Sequence, residues 1–207
     1  MCGIVGLYSK SPAIEDRLGA HLADMLAQMS DRGPDSAGVA VYRDPAQTGN
    51  AKLVLFHPDS GFAWNAVAEG LAAAFGGDPE PRQRANHAVF DVATDADTAT
   101  SWVRARHPEV RVMSAGEAIE IYKEVGRPEA FIEQFDLRSL SGTHGLGHTR
   151  MATESRVTTA GSHPFSTGLD ICLVHNGSLS NHASLRRMLR REGIEFQTEN
   201  DTEVAAG

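Results

Sequence analysis

Short apolar runs along the chain are bounded by turn residues, and longer stretches repeat apolar positions at helical spacing. The first pattern is typical of strands and the second of amphipathic helices. Strands are predicted at 4–8, 37–42, 52–57, 85–92, 109–113, 145–150 and 169–174. Helices are predicted at 13–30, 62–75, 97–106, 128–135, 181–193 and from 199 onwards. The chain is therefore expected to mix helices and strands throughout its length.

Two of the predicted strands carry more specific expectations. The run 52–57 is predicted to be the hairpin partner of 37–42, across a loop rich in Pro, Gly and Asn. The run 169–174 is predicted to be a buried strand that leads into a tight Asn-Gly turn at Asn176 and Gly177.

The middle of the chain is less informative. The segment 76–140 opens with a Gly- and Pro-rich linker and contains no motif. Within it, residues 115–122 fit neither the helical nor the strand pattern. We interpret 76–140 as an insertion that shapes a surface or an interface.

Composition narrows the functional classes. The chain has 207 residues, 41% of them hydrophobic, and a net charge of −8, which argues against non-specific nucleic-acid binding. Its cysteines, Cys2 and Cys172, do not make a disulfide framework, and Cys172 in its apolar run is expected to be a small core residue. With no apolar segment long enough to span a membrane and no signal peptide, a cytoplasmic protein is expected.

A cysteine at position two offers a special chemistry. If Met1 is removed, Cys2 carries a thiol and a free α-amine on one residue. That amine has an ordinary pKa of roughly 7.7–8.0, so part of it is neutral at working pH and can accept the thiol proton. Nucleophile and base would then lie in one residue, held at the start of a predicted strand.

Five local motifs stand in order along the chain: MCGI at 1–4, RGPDSAG at 32–38, GHTRMATES at 147–155, VHNG at 174–177 and ENDTE at 199–203. Together with SHPF at 162–165, they strongly resemble the class II glutamine amidotransferase family, a branch of the N-terminal-nucleophile hydrolases. Within it, the chain most resembles the separate amidotransferase subunits of glutamate-synthase-like enzymes such as N-methylglutamate synthase.

The resemblance implies an α+β fold, a four-layer αββα sandwich of two antiparallel sheets with helices outside. It implies one amidotransferase domain over 1–207, with an α/β insertion at 76–140. The chain stops in what should be the first turns of a helix, so the C-terminal part of the domain is expected to be absent. This piece alone is accordingly expected to be poorly stable, with an exposed sheet edge.

The resemblance also implies hydrolysis of the side-chain amide of glutamine, with the ammonia passed to a second active site. Arg150 is expected to pair with the α-carboxylate of glutamine through a two-point fork. Asp201 is expected to hold the α-ammonium, the alternative being a plain helix cap. Asn176 and Gly177 are expected to form the oxyanion hole, the alternative being an ordinary turn.

Further positions have weaker expectations. Arg32 is expected to lie near the nucleophile and orient it, or else to be structural. Thr153 is expected to contact substrate, although Glu154 follows it where family members can have a histidine. His144 and His148 lie four apart in a strand, too far apart for easy shared ligation, so no metal site is expected.

No cofactor is expected on this chain. Any flavin or iron–sulfur cluster would lie on a partner synthase subunit, because no cysteine set for a cluster is present. A hetero-oligomer with an ammonia-accepting synthase is expected, and the acceptor itself stays open. The competing hypotheses are a non-catalytic module of the same fold for assembly or regulation, favoured if Met1 is retained, and a hydrolase of a different amide.

Overall fold

The computed structural model describes residues 2–152 and 156–207. Its strands are β1 (Gly3–Tyr8), β2 (Ser36–Tyr42), β3 (Ala51–Phe56), β4 (Arg82–Arg84), β5 (His87–Val92), β6 (Arg111–Gly116), β7 (Ile119–Val125), β8 (His144–Arg150), β9 (Phe165–Gly168) and β10 (Ile171–Leu173). Its α-helices are α1 (Pro12–Glu15), α2 (Leu18–Gln28), α3 (Asn65–Phe75), α4 (Ala96–Arg106), α5 (Pro128–Gln134), α6 (His182–Arg191) and α7 (Asp201–Ala206). Short 3₁₀ turns lie at Ser30–Arg32 and Leu137–Ser139. The predicted α+β class is confirmed.

The first sheet has four antiparallel strands in the order β1-β8-β2-β7. β8 pairs on one side with β1, where Gly3 lies opposite Thr149, and on the other with β2, where Ser36 lies opposite Arg150. Because Cys2 precedes β1 and Arg150 ends β8, this register brings both residues to the same end of the sheet.

The second sheet is also antiparallel, with the order β4-β5-β3-β6. The predicted hairpin between 37–42 and 52–57 is therefore wrong, because β2 and β3 belong to different sheets. All six residues of β3 and the first six of β2 are buried. Each strand satisfies its backbone groups with two neighbours inside its own sheet, so the loop between them crosses from sheet to sheet.

Two apolar clusters organise the layers. In β3, Val54 and Phe56 join the cluster that contains β2, β7 and α2, whereas Leu53 and Leu55 join the cluster that contains α3 and α4. The second sheet thus packs on the first sheet with one face and on two helices with the other. On the first sheet, α2 and α5 pack against β8, β1 and β2.

The predicted helix 13–30 is interrupted in the structure. α1 ends at Glu15, whose carbonyl accepts a hydrogen bond from the Gly142 N–H at 3.0 Å, and α2 begins at Leu18. The Gly19 N–H donates to the carbonyl of Leu140 at 2.7 Å. Backbone contacts with a segment about 120 residues away in sequence thus replace helical hydrogen bonds, which periodicity cannot reveal.

The predicted buried strand 169–174 is shorter and more exposed than expected. Only Ile171–Leu173 form a strand, β10, which pairs with β9 in a two-stranded sheet. Leu169 is 50% exposed and Ile171 58% exposed. The side chain of Cys172 is half-buried and packs against the main core.

The segment 76–140 supplies strands to both sheets. It contains β4, β5 and β6 of the second sheet and β7 of the first. The ambiguous residues 115–122 are the end of β6 and most of β7. That this segment is an insertion in a single domain stays a prediction. In the described ranges, every helix is too short or too polar to cross a membrane.

Candidate active site

A cavity of about 410 Å³ opens at the end of the first sheet where β1 starts and β8 ends. It brings together five of the predicted site residues, which are separated by up to 199 positions in sequence. They are Cys2, Arg150, Asn176, Gly177 and Asp201. A thiol, a guanidinium, a side-chain amide and a carboxylate therefore share one enclosed space.

Cys2 lies between β8 and the Asn-Gly turn. Its side chain is half-buried, and its Sγ donates a long hydrogen bond to the carbonyl of Met151 at 3.8 Å. The Asn176 Nδ2 donates to the backbone carbonyl of Cys2 at 3.1 Å. The amide predicted to stabilise an oxyanion thus already contacts the residue predicted to attack.

Arg150 is buried at the end of β8, with 5% of its surface exposed. Its Nη1 donates to the carbonyl of Arg156 at 3.3 Å. Burial lowers the pKa of this guanidinium, while the nearby Cys2, Asp35 and Asp201 act in the opposite direction. An arginine stays protonated in proteins, so the cavity has a fixed positive charge on its wall.

Asp201 is the first residue of α7, and its carboxylate carries the charge opposite to that of Arg150. The cap of this helix is the neighbouring Asn200, whose side chain accepts from the Thr202 N–H at 2.9 Å. The Asp201 Oδ2 instead accepts from the Leu179 N–H at 2.7 Å. Its carboxylate is therefore tied to the segment just after the Asn-Gly turn rather than used as a cap.

Polar contacts of the preceding residue, His175, hold the Asn-Gly turn in place. The backbone carbonyl of His175 lies 3.0 Å from the His148 Nε2. The ring Nδ1 of His175 lies 3.3 Å from the Thr202 Oγ1. A Cβ on Gly177 would lie 2.8 Å from the His175 Nε2, so a side chain there would displace the ring. These contacts fix the backbone from which the two predicted oxyanion donors project.

Two neutral histidines are stacked at this end of the sheet, and one of them, His163, lines the cavity. The rings of His148 and His163 are stacked with their centroids 4.1 Å apart. Burial lowers the pKa of His148 to about 4 and that of His163 to about 2. Both rings are uncharged near neutral pH, which avoids placing further positive charge beside Arg150.

No group of three or more His, Cys, Asp or Glu residues in the described part of the chain could hold a metal ion. His148 uses its Nε2 on the His175 carbonyl, and His144 stacks on Tyr42 with ring centroids 3.9 Å apart. The expectation that no metal binds stays a prediction.

Two predicted site residues are not placed in the cavity. Thr153 lies outside the described residues, as does Glu154. Arg32 is exposed at the end of the 3₁₀ turn Ser30–Arg32, and its side chain has no hydrogen bond or ion pair within the described ranges. The orienting role of Arg32 and the substrate contact of Thr153 stay predictions.

Several residues of the site were missed from the sequence, although each lies in a quoted motif. Asp35 of RGPDSAG accepts from the Ala152 N–H at 2.8 Å and thereby holds the chain just after Arg150. His163 of SHPF and Thr202 of ENDTE line the cavity and are 2.8 Å apart, from Nε2 to Oγ1. Motif membership was the available signal, but their contacts depend on long-range packing.

Comparison with known proteins defines the family. A model described as "Glutamine amidotransferase domain" matches residues 138–206. The glutamine amidotransferase-like protein GlxB of Rhizobium meliloti (strain 1021) is 53% identical over 208 residues, which span 100% of this chain and 68% of that relative. A Methanothermobacter thermautotrophicus protein, whose name places it with the glutamine amidotransferases, is 32% identical over 98% of this chain and 70% of its own length.

A further similarity covers less than half of the chain. The glutamine–fructose-6-phosphate aminotransferase (isomerizing) of Methanosarcina mazei is 43% identical over 94 residues, 44% of this chain and 15% of that protein. Since the R. meliloti and M. thermautotrophicus proteins match along most of their length, the chain belongs to the glutamine amidotransferase family. The predicted glutamine amidotransferase family is confirmed, whereas the class II branch and the likeness to N-methylglutamate synthase subunits stay predictions.

Proposed function

We propose that this chain hydrolyses glutamine to glutamate and ammonia, with Cys2 as the nucleophile after removal of Met1. The observation that carries the proposal is the single cavity that holds Cys2, Arg150, Asn176 and Asp201. Free glutamine presents an α-carboxylate, an α-ammonium and a carboxamide. The cavity offers a cation, an anion and a thiol with an adjacent amide donor, one complement for each group.

Substrate recognition would rest on two opposite charges. Arg150 would bind the α-carboxylate through two parallel N–H···O bonds, and its burial would strengthen that pairing. Asp201 would accept from the α-ammonium with a carboxylate oxygen. Thr153 would add a further substrate contact. Together these would exclude amides that lack a free amino-acid end, which argues against a hydrolase of a different amide.

The first half of the reaction would form a thioester. The neutral α-amine of Cys2 takes the thiol proton, and Sγ bonds to the carboxamide carbon while the C=O electrons move to the oxygen. The Asn176 Nδ2 and the Gly177 N–H stabilise this oxyanion. When the C–N bond breaks, the protonated amine gives its proton to the leaving nitrogen, which departs as ammonia. Arg32 would help to orient the nucleophile.

The second half would regenerate the enzyme. The α-amine, neutral again, takes a proton from a water molecule whose oxygen attacks the γ-glutamyl thioester. The same two donors stabilise the second oxyanion. Its collapse breaks the C–S bond, releases glutamate and returns the proton to the thiol. The Asn176 amide would leave the Cys2 carbonyl, on which it rests without substrate, for the oxyanion in both halves.

We further infer the class II branch and its fold. The order α2/α5, first sheet, second sheet, α3/α4 would correspond to the αββα sandwich of N-terminal-nucleophile hydrolases. The two apolar clusters on the faces of β3 support this proposal. The domain would extend over 1–207 with 76–140 as an insertion.

Ammonia would be delivered to a partner synthase subunit. The motifs most resemble the amidotransferase subunits of glutamate-synthase-like enzymes such as N-methylglutamate synthase, and that resemblance supports this part of the proposal. Any flavin or iron–sulfur cluster would belong to the partner, and the complex would be a hetero-oligomer.

The function is tested by glutamate release from glutamine. We expect the wild-type protein to release glutamate and ammonia in equal amounts, and C2A to release neither. C172A is the matched control, because the Cys172 thiol is half-buried on β10 and outside the cavity. Activity that survives in C2A, or that is lost in C172A rather than in C2A, would contradict the proposal.

A further inference from the structure

A buried lysine lies behind the candidate site, at a position to which the mechanism gives no role. Lys123 is on β7 and is 3% exposed. Its Nζ donates to the carbonyls of Ala160 at 3.1 Å, Ser162 at 2.9 Å and Pro164 at 3.1 Å. It also lies 4.4 Å from the centroid of the Phe165 ring. One ammonium thus uses all three of its hydrogens on a single loop.

These contacts define the path of the loop 160–165. Its carbonyls at alternate residues converge on the Lys123 Nζ, and an apolar side chain at this position would leave them without a donor. The loop also packs on the backbone of β2, since a Cβ on Gly38 would lie 2.2 Å from the His163 carbonyl oxygen. Because burial of a charged ammonium is costly unless it is fully hydrogen-bonded, this arrangement has a demanding geometry.

The same loop contacts both chain neighbours of Asp201. The Asn200 Nδ2 donates to the carbonyl of Gly161 at 2.8 Å. The His163 Nε2 is 2.8 Å from the Thr202 Oγ1. Asn200 and Thr202 are both buried, so the loop fixes the start of α7 on each side of the carboxylate.

We propose that Lys123 is a positioning residue for glutamine binding, which acts by holding the loop 160–165 and, through it, the Asp201 carboxylate. This inference rests on the proposed function, in which Asp201 binds the α-ammonium of glutamine. It assigns to Lys123 a larger effect on substrate affinity than on the chemistry at Cys2. The loop contacts both chain neighbours of Asp201 directly, whereas it reaches the Asn-Gly turn only through the contacts of His163 with Thr202 and His148.

A second buried lysine provides a matched control. Lys52 is fully buried on β3, and its Nζ donates to the carbonyls of Arg43 at 2.7 Å and Asp44 at 2.6 Å and to the Glu120 carboxylate at 3.1 Å. It is therefore buried like Lys123 and makes the same number of hydrogen bonds, one of them an ion pair with Glu120. Its partners belong to the region between the two sheets and do not line the cavity.

The test compares K123M with K52M in the protein as it exists. We expect K123M to raise the KM for glutamine about tenfold or more while kcat changes by less than about threefold, as for loss of one charged substrate contact. K52M should lower the melting temperature at least as much, because it removes the lysine paired with the buried Glu120, and should leave KM within about twofold of wild type. Equal KM values in K123M and wild type, or equal increases in both variants, would overturn the inference.

Hydrogen exchange provides a readout that does not depend on activity. In K123M, the amides of Leu179 and Thr202, which are bonded to Asp201 and Asn200, should exchange faster, whereas in K52M they should keep their protection. Unchanged protection in K123M would overturn the inference even if the protein had no glutaminase activity. Should K123M fail to fold, K123Q retains two N–H donors and is measured instead. Absence of glutamate release by the wild type would contradict the proposed function and not this contact.

Discussion

At the scale of single residues, the site depends on donors and charges whose partners are already in place before substrate binds. Asn176 contacts Cys2, Asp201 contacts Leu179, and Arg150 is held at the end of a central strand. Arg150 and Asp201 need little reorientation to meet substrate, and in the proposed mechanism only the Asn176 amide changes its partner, from the Cys2 carbonyl to the oxyanion.

Asn176 gives the most direct prediction at this scale. N176A should lower kcat by about 10² to 10³ while KM changes little, because the amide acts mainly on the oxyanion. Steady-state glutamate release measures both constants.

N181A is the matched control for N176A. Asn181 is an exposed asparagine at the start of α6, and its side chain makes no capping hydrogen bond. N181A should keep wild-type kinetics. A kcat in N176A within about threefold of wild type would mean that the turn is an ordinary Asn-Gly turn.

At the scale of elements, most strands and helices could be predicted but their partners could not. The runs 4–8, 37–42 and 145–150 were predicted from local pattern, and they correspond to β1, β2 and β8. β8 pairs with β1 at a separation of about 140 positions and with β2 at a separation of about 110, and no local signal fixes either pairing. The assumption that consecutive strands pair led to the wrong hairpin between β2 and β3.

The residues of the candidate site could also be predicted from local sequence, but their contacts could not. Cys2, Arg150, Asn176, Gly177 and Asp201 lie in motifs, so they could be chosen before their proximity was known. The contacts that hold these five residues in place could not be predicted, because those contacts join elements that are distant in sequence. Two examples are the hydrogen bond between His148 and the His175 carbonyl and the hydrogen bonds of Lys123 to the loop 160–165. Both form only when β7, β8 and the loops are packed together.

At the scale of the whole molecule, buried histidines link stability to pH. Burial lowers the pKa of His87 to about 3, of His148 to about 4 and of His163 to about 2. In the unfolded chain each would protonate near pH 6.5. Between pH 6.5 and these folded-state values the unfolded chain binds more protons, so the free energy of unfolding falls as pH falls.

H87Q tests this linkage away from the cavity. The His87 ring is buried beside Phe56 and Phe135, and its Nδ1 is 2.8 Å from the Asn86 Oδ1, a contact that a glutamine amide can replace. Each such histidine contributes a slope of at most about 1.4 kcal/mol per pH unit. Urea unfolding between pH 4.5 and 6.5 should show a shallower pH dependence in H87Q than in wild type. Identical slopes would show that His87 takes up protons alike in the folded and unfolded states, which would contradict this linkage.

The central claim is that Cys2, freed of Met1, is a nucleophile in a glutamine pocket. Intact-mass spectrometry before and after treatment with the glutamine analogue 6-diazo-5-oxonorleucine tests it most directly. We predict that the protein lacks Met1 and gains one covalent adduct, which maps to Cys2, is absent in C2A and persists in C172A. Retained Met1 with no adduct, or an adduct that maps to Cys172, would contradict the account.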